Sequence, residues 1–286
     1  MHKLKYWLAA ARLRTLPLSV SGIIVGSSLS GYTNRQFNQI LEIQTKDYYI
    51  FFGALFTTIV FQILSNFAND YGDGVKGTDT LRKGEARMVS SGKISSKQMK
   101  NATITFALIG LMLSINLVFY AFKGYNLGYV FLFLGLGIAS IVAAIKYTVG
   151  NNAYGYSGFG DVFVFIFFGL LSVCGSYFLY TKTLNLYIIL PAISIGMLSV
   201  AVLNLNNMRD IENDKINNKI TLVVKKGYAW AKQYHLILVL LPLILSCVYV
   251  YFNYKSLTQF VFFVAFIPLF FHLKKIRFNK NPELLD

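Results

Sequence analysis

Long apolar stretches alternate with short polar stretches along most of the chain. About 20 mostly apolar residues are enough for a helix to cross the hydrocarbon layer of a membrane, and the pattern predicts eight segments of that kind. They span roughly residues 16–32, 49–68, 101–122, 127–148, 162–180, 185–205, 235–252 and 257–273. The sequence therefore predicts an all-α membrane protein, with residues 1–286 forming a single domain built as a helical bundle.

Basic residues are distributed unevenly over the polar stretches. If both termini lie on one side of the membrane, the opposite side holds only 5 of the 27 Lys and Arg residues. Those five are Arg35, Lys46, Lys123, Lys182 and Lys255. Cytoplasmic loops of membrane proteins carry an excess of Lys and Arg. The asymmetry predicts a multi-pass membrane protein with both termini in the cytoplasm.

Composition excludes several classes of protein. Hydrophobic residues make up 55% and charged residues 14% of the chain, against about 45–50% and about 25% in soluble proteins. This composition excludes a disordered chain, and two cysteines inside apolar segments do not form a disulfide scaffold. The net charge of +15 would suggest nucleic acid in a soluble protein. Here it follows from the loop asymmetry, and no nucleic-acid partner is expected.

Two acidic clusters stand where apolar segments meet the two long cytoplasmic loops. Their members are Asn66, Asp70 and Asp73 in the first cluster and Asn206, Asp210 and Asp214 in the second. Residues three and four apart share a helix face, so each cluster can present an amide and two carboxylates to one point. The clusters lie four segments apart. This spacing predicts two parallel four-helix repeats, over about 16–148 and 162–273.

Carboxylates at this spacing suit Mg²⁺, which typically takes one or two carboxylates together with substrate phosphate oxygens. Zinc is disfavoured because none of the three histidines lies near either cluster. Basic residues, which are natural phosphate partners, surround both clusters. They are Lys76, Arg82, Lys83, Arg87, Arg209, Lys215 and Lys219. The combination predicts a substrate with a diphosphate head and an apolar tail. The alternative interpretation is two solvated helix ends with ordinary loop charges.

A third candidate region is rich in Gly and Tyr and runs from Lys146 to Asp161. Its glycines favour a tight turn between helices. Tyr147, Tyr154 and Tyr156 could instead line an aromatic pocket with Asp161 as a polar anchor, and the pattern leaves both interpretations open. Lys146, Tyr147, Tyr154 and Asp161 are therefore candidate substrate-binding residues.

These motifs resemble those of the UbiA superfamily of intramembrane aromatic prenyltransferases, and the resemblance covers nearly the whole chain. It rests on Leu13-Arg-Thr-Leu-Pro17, Leu64-Ser-Asn-Phe-Ala-Asn-Asp-Tyr-Gly-Asp73 continuing to Lys76-Gly77 and Asp79, Tyr147-Thr-Val-Gly150, Tyr154-Gly-Tyr156, Gly160-Asp161, Leu205-Asn-Asn-Met-Arg-Asp210 and Thr221-Leu-Val-Val224. The first acidic motif and the 147–161 stretch are most similar to the branch whose acceptor is 1,4-dihydroxy-2-naphthoate, in menaquinone biosynthesis.

The resemblance implies a central cavity that opens at the cytoplasmic side. Two Mg²⁺ would bridge a polyprenyl diphosphate to the first acidic pair and to the second, which are Asp70 with Asp73 and Asp210 with Asp214. Asn66, Asn206 and Arg87 would assist at the diphosphate. The polyprenyl group would pass to the hydroxynaphthoate ring with loss of CO₂ and pyrophosphate, giving a demethylmenaquinol. The resemblance also implies that the reaction takes place in the lipid bilayer of the bacterial inner membrane.

The chain departs from the family pattern in two ways. The second Asp of the first motif stands three residues after the first, where the family often has four, and Asp79 is a further candidate member. The family usually has nine spanning helices, so a ninth is expected to be missing at the C-terminus, as by truncation. A 4-hydroxybenzoate prenyltransferase stays open as an alternative. A CDP-alcohol phosphatidyltransferase is disfavoured, because Gly77-Thr78 follows the Asp70-Tyr-Gly-Asp73-Gly74 stretch where the motif of that enzyme continues with Ala-Arg. A secondary transporter is disfavoured, because no segment has an ionisable residue at its middle.

Overall fold

The computed structural model describes residues 2–36, 45–78, 87–282 and 285. Within these ranges the regular structure is helical, with no β-strand. Eight helical stretches there are long and apolar enough to cross a membrane. They run from Lys3–Gly31, Thr45–Lys76, Ser96–Ala121, Leu127–Lys146, Gly160–Thr181, Leu186–Arg209, Tyr228–Phe252 and Leu257–Phe278. The predicted all-α membrane bundle is confirmed, and the chain is a multi-pass membrane protein.

The described ranges contain twelve α-helices, together with short 3₁₀ and π-helical segments. They are α1 (His2–Ala11), α2 (Leu16–Gln36), α3 (Thr45–Lys76), α4 (Ser96–Ala121), α5 (Leu127–Lys146), α6 (Gly160–Val164), α7 (Ser172–Thr181), α8 (Ile189–Arg209), α9 (Ile211–Ile216), α10 (Leu222–Lys226), α11 (Tyr228–Phe252) and α12 (Phe262–Phe278). The first span contains both α1 and α2, joined by a short 3₁₀ turn. The predicted first segment began later, at residue 16.

The helices that carry the acidic clusters continue beyond their apolar cores. Helix α3 ends at Lys76, so Asp70 and Asp73 lie on its last turns, whereas the predicted segment ended at residue 68. Helix α8 ends at Arg209, and Asp210 leads directly into α9. The backbone N–H of Asp214 donates to the carbonyl oxygen of Asp210 at 2.8 Å. Both clusters therefore keep the helical spacing on which their prediction rested.

Glycines allow the spans to approach closely. A Cβ added to Gly26 on α2 would lie 2.3 Å from the carbonyl oxygen of Val173 on α7. A Cβ added to Gly169 would lie 2.5 Å from the Cα of Gly196 on α8. Small residues at helix contacts are the usual means by which membrane helices pack. The first and fifth spans, and the fifth and sixth, are thus held backbone to backbone.

The pairs of helices that pack most extensively can be compared with the predicted four-helix repeat. Helix α3 packs mainly on α4, α8 packs mainly on α11, and α2 packs mainly on α7. In terms of spans, the second pairs with the third, the sixth with the seventh, and the first with the fifth. Two related four-helix units would pair in this way, and the repeat itself stays a prediction.

The fifth span contains a feature that the sequence did not predict. A π-helical segment, Phe165–Leu171, joins α6 to α7 without a break in the helix. Its hydrogen bonds run from residue i to residue i+5, and such segments are frequent at functional sites. Two consecutive side chains of the segment, Phe167 and Phe168, line the cavity in the centre of the bundle.

Candidate active site

A cavity of about 580 Å³ lies in the centre of the bundle. Its charged lining residues are Arg12, Arg14, Asp73, Arg87, Arg209, Asp210 and Lys219. All of them belong to helix ends or loops on one side of the bundle, because they stand just before α2 and α4 or near and after the ends of α3 and α8. Its apolar lining residues include Ile23, Phe61, Leu117, Phe133, Leu136, Phe163, Phe167, Phe168 and Leu171. The cavity is therefore charged at one end and apolar along its length.

Asp73 is the member of the first cluster that borders the cavity. Its Oδ1 accepts a hydrogen bond of 2.8 Å from the Tyr156 hydroxyl, and its Oδ2 lies 3.9 Å from Arg87 Nη2. The Tyr156 hydroxyl also lies 3.0 Å from Thr78 Oγ1, and the Lys76 ammonium stands 3.9 Å from the centre of the Tyr156 ring. A buried carboxylate is thus held between an aromatic hydroxyl and a guanidinium.

Asp70 has a different environment, although it is one turn away on the same helix. It is 1% exposed, and its two carboxylate oxygens accept hydrogen bonds from the backbone N–H groups of Met88 at 3.0 Å and Val89 at 2.9 Å. Charge-assisted hydrogen bonds of this kind are among the stronger ones. Asp70 therefore fixes the segment that carries Arg87, and it does not border the cavity.

The second cluster shows the same division of roles. Asp210 borders the cavity and accepts two hydrogen bonds from the Arg209 guanidinium, 2.9 Å from Nε and 3.1 Å from Nη2. Asp214 is buried, and its Oδ1 lies 3.6 Å from Lys219 Nζ. One carboxylate of each cluster thus faces the cavity, and the other stands behind it. The prediction that all four face one cavity holds for Asp73 and Asp210 only.

Direct contacts join the loops of the two clusters. The side-chain amides of Asn213 and Asn217 both donate to the carbonyl oxygen of Thr78, each at 3.1 Å. The backbone N–H of Ile220 donates to the carbonyl oxygen of Tyr156 at 3.0 Å. Because Thr78 and Tyr156 also contact Asp73, the two acidic motifs form one connected structure at one end of the bundle. The interpretation as two unrelated solvated helix ends does not fit these contacts.

The Tyr-Thr-Val-Gly turn that follows α5 packs directly against the first acidic motif. Thr148 is fully buried and donates to the carbonyl oxygen of Ala68 at 3.0 Å and to Asn69 Oδ1 at 3.2 Å. A Cβ added to Gly72 would lie 2.6 Å from Thr148 Oγ1 and 2.9 Å from the Thr148 carbonyl carbon. This close approach explains why a glycine separates the two aspartates of the motif.

Asn66 connects the N-terminal segment to the first acidic motif. Its side-chain amide donates to the carbonyl oxygen of Ala11 at 2.8 Å and to Thr15 Oγ1 at 3.1 Å, and Gln62 donates to the same Thr15 oxygen at 3.0 Å. Asn66 and Asn206, the two predicted motif asparagines, both line the cavity. They occupy equivalent places in the two clusters.

Aromatic rings form part of the cavity wall near its charged end. The ring centres of Tyr147 and Tyr154 lie 5.3 Å apart in an edge-to-face arrangement, and Tyr154 stacks on Phe163 at 3.8 Å. Burial raises the pKa of Tyr147 to about 12, and it also raises the pKa of Tyr154 above its usual value. Both hydroxyls are therefore neutral near pH 7, and neither is available as an anionic base. The aromatic-pocket interpretation of the 147–161 stretch fits these two residues.

Three other predicted substrate-binding residues do not border the cavity. Lys146 is exposed at the end of α5. Lys215 is exposed on α9 and pairs with Glu212 at 2.9 Å. Asp161 is buried and accepts a hydrogen bond from the Tyr234 hydroxyl, which links α6 to α11. Their predicted contact with substrate has no support in this geometry. Asp79, Arg82 and Lys83 lie outside the described residues.

The sequence interpretation did not assign two arginines that line the cavity, and it did not predict the contact of Tyr156 with the first acidic cluster. Arg12 and Arg14 line the cavity, and Arg12 has the left-handed backbone conformation, with φ at 48°. Strained backbone of this kind often occurs at functional sites. Tyr156 contacts Asp73 directly. The sequence signal that could have identified the two arginines is their position just before Thr15-Leu-Pro17, where α2 begins. For Tyr156, the sequence indicated only that it belongs to an aromatic stretch, and not that it contacts Asp73.

The cavity's donor atoms suit one kind of metal site. Within the described ranges, no three His, Cys, Asp or Glu side chains converge on a point, so the protein alone does not form a closed metal cage there. Mg²⁺ needs no such cage, because it commonly combines one or two carboxylates with substrate phosphate oxygens and water. Asp73 and Asp210, with Asn66 and Asn206 on the same cavity wall, fit that requirement.

Fold and site together define a class, the multi-pass membrane proteins with an internal cavity that has cationic side chains at one end and an apolar wall along its length. A model of the UbiA prenyltransferase family matches residues 41–283. The chain belongs to the UbiA prenyltransferase family.

Proteins of known name or structure are similar to this chain over most of its length. It is 41% identical over 285 residues to a 1,4-dihydroxy-2-naphthoate octaprenyltransferase of Haemophilus influenzae, covering 99% of this chain and 89% of that protein. It is 42% identical over 260 residues to the enzyme of the same name from Escherichia coli, covering 91% and 80%. A solved structure described as digeranylgeranylglyceryl phosphate synthase in membranes aligns with a TM-score of 0.56 and 20% identity, covering 100% of this chain and 91% of that one. This structure supports the fold alone.

Proposed function

We propose that the protein transfers a polyprenyl group from an allylic polyprenyl diphosphate to 1,4-dihydroxy-2-naphthoate, a step of menaquinone biosynthesis. The observation that carries the proposal is that Asp73 and Asp210, one from each acidic motif, line the same cavity, whose remaining wall is largely apolar. That arrangement suits a diphosphate head with a prenyl tail. The family and the names of the similar enzymes support this choice of substrates.

The reaction needs three changes of bonding. The allylic C–O bond breaks, and pyrophosphate leaves with the bonding electrons. The carboxyl-bearing carbon of the electron-rich naphthoate ring then bonds to the prenyl carbon. Loss of CO₂ returns the electron pair to the ring and gives a demethylmenaquinol. The protein must therefore bind the leaving diphosphate, keep water from the prenyl cation and hold the ring beside it.

Asp73 and Asp210 would hold Mg²⁺ together with the diphosphate oxygens, with Asp70 and Asp214 behind them. Bound there, Mg²⁺ would neutralise charge that develops on the departing pyrophosphate. Arginine and lysine side chains at the same end of the cavity would add further stabilisation, since cations placed where charge develops lower the barrier. They are Arg12, Arg14, Arg87, Arg209 and Lys219.

The apolar wall has a separate task, which is to protect the prenyl cation. Phe163, Tyr147 and Tyr154 border the cavity, and faces of aromatic rings attract cations. Exclusion of water from the same region prevents hydrolysis of the cation. Because both tyrosine hydroxyls stay neutral near pH 7, these residues stabilise the cation through their rings and do not remove a proton as anions.

The acceptor is the part of this proposal that an assay tests directly. Purified protein, supplied with Mg²⁺ and one polyprenyl diphosphate, should convert 1,4-dihydroxy-2-naphthoate at least about tenfold faster than 4-hydroxybenzoate, because a site built for one ring system rejects another. Product masses identify which acceptor was prenylated and whether CO₂ was lost. Preferential turnover of 4-hydroxybenzoate would move the protein to the other branch of the family. Absence of pyrophosphate release with every acceptor would contradict a transferase and favour a transporter.

The proposed orientation places both termini and the charged end of the cavity in the cytoplasm of the bacterial cell. The support is the excess of Lys and Arg on that side. A single cysteine replacing the exposed Lys97, in a chain whose Cys174 and Cys247 are changed to Ala, should react with a membrane-impermeant maleimide in inverted vesicles only. Labelling of this cysteine in intact cells with an opened outer envelope would show the opposite orientation.

A further inference from the structure

The last span ends in a surface groove that is separate from the central cavity. Phe271, Lys274, Lys275, Phe278 and Lys280 line it. None of these residues borders the central cavity, and none takes part in the proposed reaction. The groove therefore needs an explanation of its own.

Helix geometry places aromatic rings on both sides of the lysines. Positions 271, 274, 275 and 278 are three, four and seven residues apart and share one face of α12. All four side chains are exposed, and the rings of Phe271 and Phe278 are 72% and 70% exposed. The two ammonium groups thus have a large ring one helical turn before them and another one turn after them.

The chain beyond α12 is fixed in a turn that brings a third lysine to the same groove. The backbone N–H of Asn281 donates to Asn279 Oδ1 at 2.7 Å. Lys232 of α11 donates to the carbonyl oxygen of Arg277 at 3.3 Å and also to that of Asn279. Because a neighbouring helix holds the turn, Lys280 lines the groove with Lys274 and Lys275.

The charge of the groove is of one sign. Its described lining contains three lysines and no acidic residue, and the adjoining Arg277 is exposed as well. Lysines that merely extend from a helix end towards water would need neither flanking rings nor a fixed turn. A basic cluster beside the end of a span, with apolar surface next to it, suits an anionic lipid, whose phosphate and acyl chains need the two surfaces together.

We propose that this groove binds the phosphate of an anionic phospholipid. The phosphate lies among Lys274, Lys275 and Lys280, and one acyl chain runs along the exposed apolar face of α12. Val264 and Ile267 stand seven and four residues before Phe271, and both are more than half exposed, so the three form a continuous stripe on one face. The lipid thereby covers part of the last described span, which is the least buried of the eight.

Native mass spectrometry of the full-length protein tests this site without reference to its enzymatic activity. The protein is titrated with phosphatidylglycerol or with phosphatidylcholine. The variant Lys274→Gln/Lys275→Gln/Lys280→Gln should bind the first phosphatidylglycerol at least about tenfold more weakly than the unmodified chain, since each lysine near the surface adds to anionic-lipid binding. Phosphatidylcholine binding should be unchanged.

A matched variant distinguishes a specific lipid-binding site from an effect of the overall positive charge. Lys97→Gln/Lys100→Gln/Lys226→Gln removes the same charge from exposed lysines on the same side of the bundle and should bind phosphatidylglycerol as the unmodified chain does. Equal loss in both variants, equal binding of the two lipids, or displacement of phosphatidylglycerol by millimolar inorganic phosphate would each overturn the proposal. So would a dimer that only the first variant dissociates, because a second copy would then occupy the groove. Unchanged thermal unfolding of both variants verifies that they are folded.

Discussion

Replacing Asp73 or Asp210 by Ala should remove nearly all prenyl transfer, and chelation of Mg²⁺ should do the same to the unmodified protein. Both carboxylates line the cavity at the end where the cationic side chains collect. Loss of a group that stabilises developing charge in a dry site typically slows a reaction about 100-fold or more. The measurement is pyrophosphate release and prenylated product formed by purified protein, at several Mg²⁺ concentrations and in EDTA.

Asp70→Ala and Asp214→Ala should also remove most of the activity, but through the groups that they hold. Asp70 anchors the backbone at Met88 and Val89, and Asp214 stands beside Lys219. Tyr156→Phe keeps every carboxylate and removes only one donor to Asp73, so a loss of about tenfold is expected. Tyr251→Phe, an exposed change on α11, serves as the control. Full activity in EDTA, or in Asp73→Ala and Asp210→Ala, would contradict the metal assignment, and full activity in Asp70→Ala and Asp214→Ala would contradict the supporting role of those two residues.

Gly169→Ala should destabilise the bundle more than an alanine elsewhere in a span. The added Cβ would lie 2.5 Å from the Gly196 Cα and 2.6 Å from the Ala192 carbonyl oxygen. Both are backbone atoms, so no side chain can rotate away and the fifth span must move from α8. Overpacking of this kind costs about 1–3 kcal/mol or more. Thermal unfolding in detergent should show a lower midpoint.

Gly135→Ala is the matched control for that experiment. It makes the same change within a spanning helix, α5, but a Cβ there would meet nothing within 4 Å. Its unfolding midpoint should equal or exceed that of the unmodified protein, since Ala favours helix over Gly by about 1 kcal/mol. If both variants unfolded at the same temperature, the close contact between the fifth and sixth spans would be refuted.

The number of spans was predictable because a membrane imposes a simple rule on sequence. Each spanning helix needs about 20 apolar residues, and all eight predicted segments correspond to spans. Helix ends beyond the apolar core follow no such rule. Helix α3 runs to Lys76 because loop 87–92 packs on its last turns, and α1 is a basic helix whose residues gave no spanning signal.

Spacing along one helix grouped the acidic residues within each cluster, and the four segments between the clusters placed both on one side of the membrane. Asp73 and Asp210 line the same cavity there, and their role in the reaction stays a prediction. Contacts with partners far away in the sequence could not be predicted. Nothing near Asp70 indicates that it accepts hydrogen bonds from Met88 and Val89, and nothing near Tyr156 indicates that it donates to a carboxylate 83 positions earlier. Those contacts depend on how the loops cross one another.

The π-helical segment Phe165–Leu171 has a consequence for how this span is compared with others. A turn closed from residue i to residue i+5 holds one residue more than an α-helical turn between the same two levels of the helix. A related chain could therefore lack one residue here, with ordinary α-helix throughout, and still keep both ends of the span in place. An alignment without a gap at this point would shift every later position of the span by one, and Gly169 would be matched to the wrong neighbour. The additional residue of the π-helical turn lies inside a membrane helix and not in a loop.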